Sequence, residues 1–239
     1  MKRYAAYCGT LNIFEDMEAS AKSLVANSNV DKVFFVLDGK APRKLPDIVK
    51  CIDFSGQEFF PPDGPNMKSK YTYMAMARIA LCKILPKYVG RVLSLDHDTF
   101  VLRDASDVWD LQIDDCYLAA VPEWHRSKCG LQYCNFGVVL YNLDAMRDGK
   151  ADECIEVLNR RRYPWVEQCV GNYLCQGRIF EMPKEYNDNY WTTKGQLSDP
   201  AIIHYAGVEY DKWKDRPVPK KFRAMSWEQA LKEHEKRKA

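Results

Sequence analysis

The sequence predicts an α/β fold: a single Rossmann-like domain whose mostly parallel, mixed sheet is flanked by helices. Three observations lead there. Short apolar runs alternate with helix-period segments through the early part of the chain, the βαβ pattern that covers both faces of a parallel sheet. The run Val92-Leu93-Ser94-Leu95 ends directly in Asp96-His97-Asp98, and ligands bind such sheets at the carboxyl ends of their strands. With 239 residues the chain can bury a full core as one domain.

In order, Arg3 to Cys8 reads as a first strand and Glu15 to Ala26 as a helix with Met17, Ala21, Leu24 and Val25 on one face. Lys32 to Leu37 is a second strand, continuous in apolar character and ended by Asp38-Gly39; a short strand follows around Cys51 to Phe54. The prolines and glycine of PPDGP, 61 to 65, exclude either ladder there. A helix is expected from about Lys68 to Leu85, with Met74, Ala77, Leu81, Ile84 and Leu85 inward and Pro86 just past its end. Tyr117 to Val121 and Phe136 to Leu143 are further strands, and Val166, Cys169, Val170, Tyr173 and Leu174 mark the inner face of another helix. Ala201 to Tyr205 is a late strand carrying His204. There is no internal repeat or low-complexity segment.

Lys and Arg number 35 against 33 Asp and Glu, so no strong global field points to nucleic acid. The charge is uneven. From Tyr210 to Ala239 ten basic residues face five acidic ones, so this tail could touch an anionic surface weakly; equally, it suits a solvated amphipathic helix from Ser226, capped by Ser226 and carrying Glu-Lys pairs. No run of about 18 apolar residues that could span a membrane occurs, and the N-terminus enters a strand-like RYAAYC where a signal peptide would show another pattern. The expectation is a soluble, cytoplasmic protein. Its nine cysteines are an odd number, set mostly within apolar patterns, as small core residues of a reducing compartment are. Cys129, Cys134, Cys169 and Cys175 lack the spacing of a zinc cluster.

Asp96 and Asp98, two residues apart after a strand, would share a face and could grip one hard cation, manganese or magnesium, with positions left open for phosphate oxygens. Two acids at a strand end also suit a solvated turn. His204 follows Ile202-Ile203 and precedes Gly207; it reads as a satisfied core histidine or as a third ligand, and Gly207 would let backbone approach a phosphate. Asn135 and Gly137 offer an amide and open space to a polyhydroxylated ligand. Glu167 and Gln168 open a helix, where the dipole favours the carboxylate and catalytic use is the alternative. Arg78 interrupts an apolar face, either snorkelling to solvent or contacting a phosphate or pyrimidine.

Taken together, SL at 23 to 24, Arg78, LDHDTFVLRD at 95 to 104 with Trp109, YCNFGVVLYNL at 133 to 143, EQ at 167 to 168 and HYAG at 204 to 207 resemble glycosyltransferase family 8, the glycogenin and bacterial galactosyltransferase relatives. The resemblance runs from the first strand to about Trp213. It implies a glycosyltransferase A fold and a nucleotide-sugar donor, usually a UDP-sugar. It also implies manganese, or magnesium, held by Asp96, Asp98 and His204, and transfer with retention. By position, Asn135 and Gly137 would contact the donor sugar and Gln168 would lie beneath its anomeric carbon. Glu167 stands where the family commonly has Asp, and Glu123 where relatives place an acid near the reacting sugars. His97, Arg78, Gly207 and Lys212 complete the expected donor site. Two departures stand out. The first strand ends CGTLN, without the Asp that reads uracil, leaving Thr10 or Asn12 to substitute, and Lys212-Trp213 comes later than the family's Lys-Pro-Trp and lacks the proline.

The sequence thus predicts a glycosyltransferase domain over 1–213 and a basic helical tail over 214–239, with the acceptor open. A nucleotidyltransferase, or a non-catalytic module that binds nucleotide-sugar or glycan, would use many of the same residues.

Overall fold

A computed structural model describes residues 1–69, 71–124, 133–208 and 212–238; Cys129, Tyr210 and Ala239 lie outside them. Seven strands form the main sheet: β1 (Tyr4–Gly9), β2 (Lys32–Leu37), β3 (Val49–Asp53), β4 (Arg91–Leu95), β6 (Leu118–Pro122), β7 (Cys134–Asn142) and β8 (Ile179–Glu181), with β5 (Thr99–Val101) lying apart. Their order is β3-β2-β1-β4-β7-β6-β8. β1, β2, β3 and β4 are mutually parallel and β6 is parallel to β8, whereas β7 runs antiparallel to both of its neighbours. The expected mostly parallel, mixed sheet is therefore present. β8, only three residues long, had no sequence signal.

Burial follows the pleat. Ala5 and Tyr7 of β1 enter one apolar layer and Ala6 enters the other. The first layer is covered by α1 (Phe14–Asn27), the second by α2 (Thr72–Ala77), α3 (Leu81–Ile84), a one-turn α4 (Leu143–Ala145) and α5 (Ala151–Arg160), with α6 (Val166–Leu174) packed beyond. β2 and β7 are buried on both faces, which is why they read as unbroken apolar runs.

Two expectations change. The helix predicted from Lys68 to Leu85 is two helices that start later: between α2 and α3 the amides of Arg78, Ile79 and Ala80 bond to carbonyls three residues back, at 3.2, 3.1 and 3.0 Å. That tightened turn swings Arg78 into the sheet. The strand expected to carry His204 is present as β9 (Ile202–His204), which pairs antiparallel with β5 outside the main sheet.

The basic tail is more than a solvated helix. It forms α7 (Pro217–Ala224) and α8 (Trp227–Lys238), and both pack on α1. Phe222 stacks on Phe100, Lys22 Nζ donates to the Met225 carbonyl at 2.8 Å, and Arg237 Nε donates to the Ala26 carbonyl at 2.9 Å. Buried Asp16 pairs with Lys214 at 3.2 Å and with Arg223. Ser226 caps α8 as expected: its hydroxyl accepts from Gln229 N at 3.1 Å while Gln229 Oε1 accepts from Ser226 N.

This packing makes the tail part of the core. Phe222→Ala removes a side chain 2% exposed and should cost about 3–5 kcal/mol in chemical denaturation. A loss below about 1 kcal/mol would mean that the tail helices are only laid against the domain.

Candidate active site

Asp96 and Asp98 converge through a turn, not through the strand alternation expected of them. β4 ends at Leu95; Asp96 N then donates to the Gly137 carbonyl at 2.8 Å, and the Asp96 carbonyl accepts from Thr99 N at 3.2 Å and Thr99 Oγ1 at 2.7 Å. The turn delivers the chain to β5, whose register sets Thr99 opposite His204. Register therefore brings the imidazole to the acids. His204 Nε2 lies 3.3 Å from Asp98 Oδ1 and 3.6 Å from Asp96 Oδ2, and one ligand atom from each residue falls within 4.8 Å of the others.

The other face of the imidazole is fixed by amides. Asn187 Nδ2 donates to Asn135 Oδ1 at 3.0 Å, so Asn187 Oδ1 is left to accept from His204 Nδ1 at 3.0 Å, and Nε2 is the nitrogen turned to the acids. Two carboxylates and one oriented imidazole fit a divalent cation of the manganese or magnesium kind. Burial works against the Asp98 carboxylate, but His204 outweighs it and holds that carboxyl well below the usual range. Burial likewise disfavours imidazolium, and Asp98 overcomes it, raising His204.

Arg78, expected either at solvent or at a phosphate, is buried at 5% exposure and turned to the protein. Its Nη1 donates to Asp96 Oδ1 at 2.5 Å and to the Phe136 carbonyl at 2.7 Å; its Nη2 pairs with Glu167. Burial opposes its charge, yet Asp96 and Glu167 raise its pKa further. Glu167 is 4% exposed, far from a solvated helix-end carboxylate, and burial raises its pKa despite Arg78. The backbone before it is unusual: β-branched Val166 has φ of 33°, a conformation such residues avoid.

Gln168, Glu123 and Asn135 come together. Gln168 Oε1 accepts from Phe136 N at 3.0 Å, and its Nε2 donates to Glu123 Oε1 at 3.3 Å and Tyr133 Oη at 3.1 Å. Glu123 Oε1 also accepts from Asn135 Nδ2 at 3.1 Å. A continuous chain of hydrogen bonds thus runs from His204 through Asn187, Asn135 and Glu123 to Gln168.

Gly137 leaves room, but its occupant is a protein group: a Cβ there would fall 2.0 Å from His204 Cε1 and 2.3 Å from Nδ1. Gly207, at φ of 82°, abuts the Trp191 indole. Thr10 and Asn12 sit just past β1, joined by a hydrogen bond from the Thr10 hydroxyl. His97 lies edge-on to Trp213, ring centres 5.9 Å apart. Lys212 is exposed and follows 209–211, outside the described residues.

Sequence reasoning missed Asn187, Tyr133 and Asp38. Asp38 Oδ1 accepts from Leu11 N at 2.8 Å, bringing an acid beside Thr10 and Asn12. Its signal, an acid directly after an apolar strand, equals that of Asp96. Asn187, in KEYNDN, has none.

On the reading that Asp96, Asp98 and His204 hold a divalent cation, Gly137→Ala should displace His204 and weaken binding of manganese, used as the probe, by about 10–100-fold, the penalty of disturbing a ligand's support, with about 1–3 kcal/mol of stability lost to overpacking. Titration followed by manganese paramagnetic resonance reads the first effect. Wild-type affinity in this variant would show that His204 contributes nothing there.

Comparison with known proteins accords with this geometry. The chain is 23% identical over 194 residues to a putative glycosyltransferase of Haemophilus influenzae and 27% identical over 175 residues to the lipopolysaccharide 1,2-glucosyltransferase of Escherichia coli. Those matches take in 72% and 61% of this chain but only 58% and 52% of the two relatives. Among solved structures, glycosyltransferase GlyE of Streptococcus pneumoniae superposes at a TM-score of 0.73 with 19% identity, covering 100% of this chain and 64% of GlyE. Galactosyltransferase LgtC, solved with donor and acceptor sugar analogues, gives 0.65 with 20% identity over 95% of both chains. The fold is the glycosyltransferase A fold. The sequence profile of glycosyl transferase family 8 matches residues 8–216, most of the sequence, and the chain accordingly belongs to glycosyltransferase family 8.

Proposed function

We propose that this chain is a metal-dependent, retaining hexosyltransferase that moves a sugar from a nucleotide-sugar, a UDP-sugar, to an acceptor hydroxyl. The observation that carries the reading is the convergence of Asp96, Asp98 and His204 within 4.8 Å at the carboxyl end of β4, joined by hydrogen bonds to Gln168. Family membership and the donor-bound state of the LgtC neighbour support it.

Manganese or magnesium would be held by Asp96, Asp98 and His204 and would supply positive charge to a diphosphate leaving group. The chain's own residues do the rest. Arg78 holds Asp96 and Glu167 in place and lowers the cost of gathering their charge. Asn135, fixed by Asn187 and Glu123, can present its amide to the donor sugar's hydroxyls. Gln168 lies where the underside of the anomeric carbon is expected, and an amide cannot deprotonate an acceptor. Retention is proposed on that amide and on the family resemblance, with the Glu123 carboxylate 3.3 Å from Gln168 Nε2 held by its bonds to Gln168 and Asn135. Thr10, Asn12 and His97 serve the nucleoside end; Gly207 and Lys212 serve the diphosphate.

Among the described residues no helix is long and apolar enough to cross a membrane. Eight described cysteines are free thiols, which supports a reducing, cytoplasmic setting. The groove between α7 and α8 is lined by Lys221 and Lys232 and by Lys236 paired with Glu233 at 2.7 Å, so a weak contact of the tail with an anionic surface is proposed on composition alone.

Two measurements test the reading. Asp98→Asn keeps size and removes a charge from the site; turnover should fall by roughly three orders of magnitude, about 4 kcal/mol, while the protein stays folded. With UDP-glucose or UDP-galactose and manganese, slow hydrolysis should release UDP and the α-sugar first in proton NMR. The β-anomer appearing first would overturn retention, and pyrophosphate released from UTP would favour nucleotidyl transfer.

A further inference from the structure

We infer that Asn189 is a positioning residue for the site: acting through Asn187, it fixes the His204 imidazole with the proton on Nδ1 and the Nε2 lone pair turned to Asp96 and Asp98. The inference rests on the reading of that triad as a cation site and adds the residue that makes His204 fit to be a ligand. A histidine binds a cation only through a nitrogen that carries no proton, so its two nitrogens must be told apart. His204 Nδ1 lies 3.0 Å from Asn187 Oδ1. That contact sets the tautomer only if the Asn187 amide is kept from turning over, since a flip would put its NH2 group in place of its oxygen.

The orientation of an amide is settled by neighbours that have no choice of role, and backbone N–H groups can only donate. Two such anchors flank Asn187. On one side, Asn135 Oδ1 accepts from Gly137 N at 3.1 Å, so it also accepts from Asn187 Nδ2, at 3.0 Å. On the other, Asn189 Oδ1 accepts from Trp191 N at 2.7 Å and Thr192 N at 3.2 Å, which leaves Asn189 Nδ2 to donate to Asn187 Oδ1 at 2.8 Å. Both anchors demand the same orientation. Asn187 Oδ1 then accepts a second time, from His204 Nδ1. With the proton on Nε2 instead, lone pairs of Nδ1 and Oδ1 would face each other at 3.0 Å, and Asn189 Nδ2, 3.4 Å from Nδ1, is already engaged. The two anchors differ in one respect: Asn135 is the amide that the proposed donor sugar would engage, whereas Asn189 is 2% exposed and stays with the protein.

The backbone explains why Asn187 and Asn189 act as a pair. Asp188 N donates to the Ile202 carbonyl and His204 N to the Asp188 carbonyl, both at 2.9 Å, so Asp188 runs parallel to β9 beside Ile203. Side chains alternate along such a segment. Asn187 and Asn189 therefore share the face turned to His204, and Asp188 points away, to the Thr193 hydroxyl. The loop closes on Asn189, whose carbonyl accepts from Thr193 N and Gly195 N, both at 3.1 Å. Buried amides that lose a partner pay for its desolvation, so each bond of this chain resists the turning of the next.

The test uses the whole protein with nitrogen-15-labelled histidine, its His204 signals assigned by their loss in His204→Gln. Without metal and at about pH 9, above the usual imidazole range, long-range proton–nitrogen spectra should show His204 with a protonated Nδ1 and a bare Nε2. Asn189→Ser keeps the turn, because a serine hydroxyl can accept from the same backbone N–H, but it loses the donor to Asn187. This variant should show a mixture of the two tautomers and bind manganese, followed by paramagnetic resonance, about tenfold more weakly. Thr193→Val loosens the same loop and leaves the Asn189 side chain intact; it should keep the wild-type tautomer and affinity. A proton on Nε2 in the wild type, an unchanged tautomer in Asn189→Ser, or an equal effect of Thr193→Val would overturn the inference. If the wild type binds no manganese while Asn189→Ser still shifts the tautomer, the positioning role stands and the cation reading falls.

Discussion

The site depends on gathering like charge where water screens it only in part: Glu167 is buried, whereas the Asp96 and Asp98 side chains are 34% and 17% exposed. Asp96, Asp98 and Glu167 approach one another at the carboxyl end of the sheet, and two buried bases make this possible: Arg78 between Asp96 and Glu167, His204 against Asp98. Of these only Arg78–Glu167 is buried on both sides, and removing one partner of it leaves an uncompensated charge, at a cost of about 3–5 kcal/mol. Local features of the fold serve that convergence. The α2–α3 break turns Arg78 inward, the Asp96 turn brings its carboxylate to the guanidinium, and the β5–β9 register delivers His204. At the start of α6, Val166 takes a positive φ just before Glu167 and Gln168.

The halves of the site are one hydrogen-bonded body. His204 cannot rotate without disturbing Asn187, nor Asn187 without Asn135, and Asn135 shares the Glu123 carboxylate with Gln168. Buried amides are costly unless satisfied, and here each satisfies the next. The consequence is a preorganised surface in which Asp96, Asp98 and His204 keep a fixed spacing from Asn135, Glu123 and Gln168, the condition the proposed transfer needs for electrostatic stabilisation of a developing charge.

Strands β1 to β4, β6 and β7, α1 and the acidic pair are legible in the sequence because each rests on local periodicity or on an acid directly following an apolar run, whereas β5 and β8, three residues each, are not. His204 is legible for the same reason. What the sequence hides is long-range. Arg78 looks like any arginine on an apolar face until Asp96 and Glu167, distant in sequence, are seen to meet it. Gly137 looks like space for a ligand, and only the fold shows the His204 ring filling it. Asn187 has no local signature at all, since its role exists only between β7 and β9. The tail's basic composition likewise masks the apolar stripe of Phe222 and Ala230 that seats it on α1.

The most direct test of the account is whether nucleotide binding requires the cation that the proposed function assigns to the acidic cluster. Thermal unfolding should be followed with UDP alone, with UDP and manganese, and with UDP in excess EDTA. At about 100 times the dissociation constant, UDP with manganese should raise the melting temperature by roughly 5–10 °C, and UDP in EDTA should leave it unchanged. Equal stabilisation by UDP in excess EDTA would contradict the account.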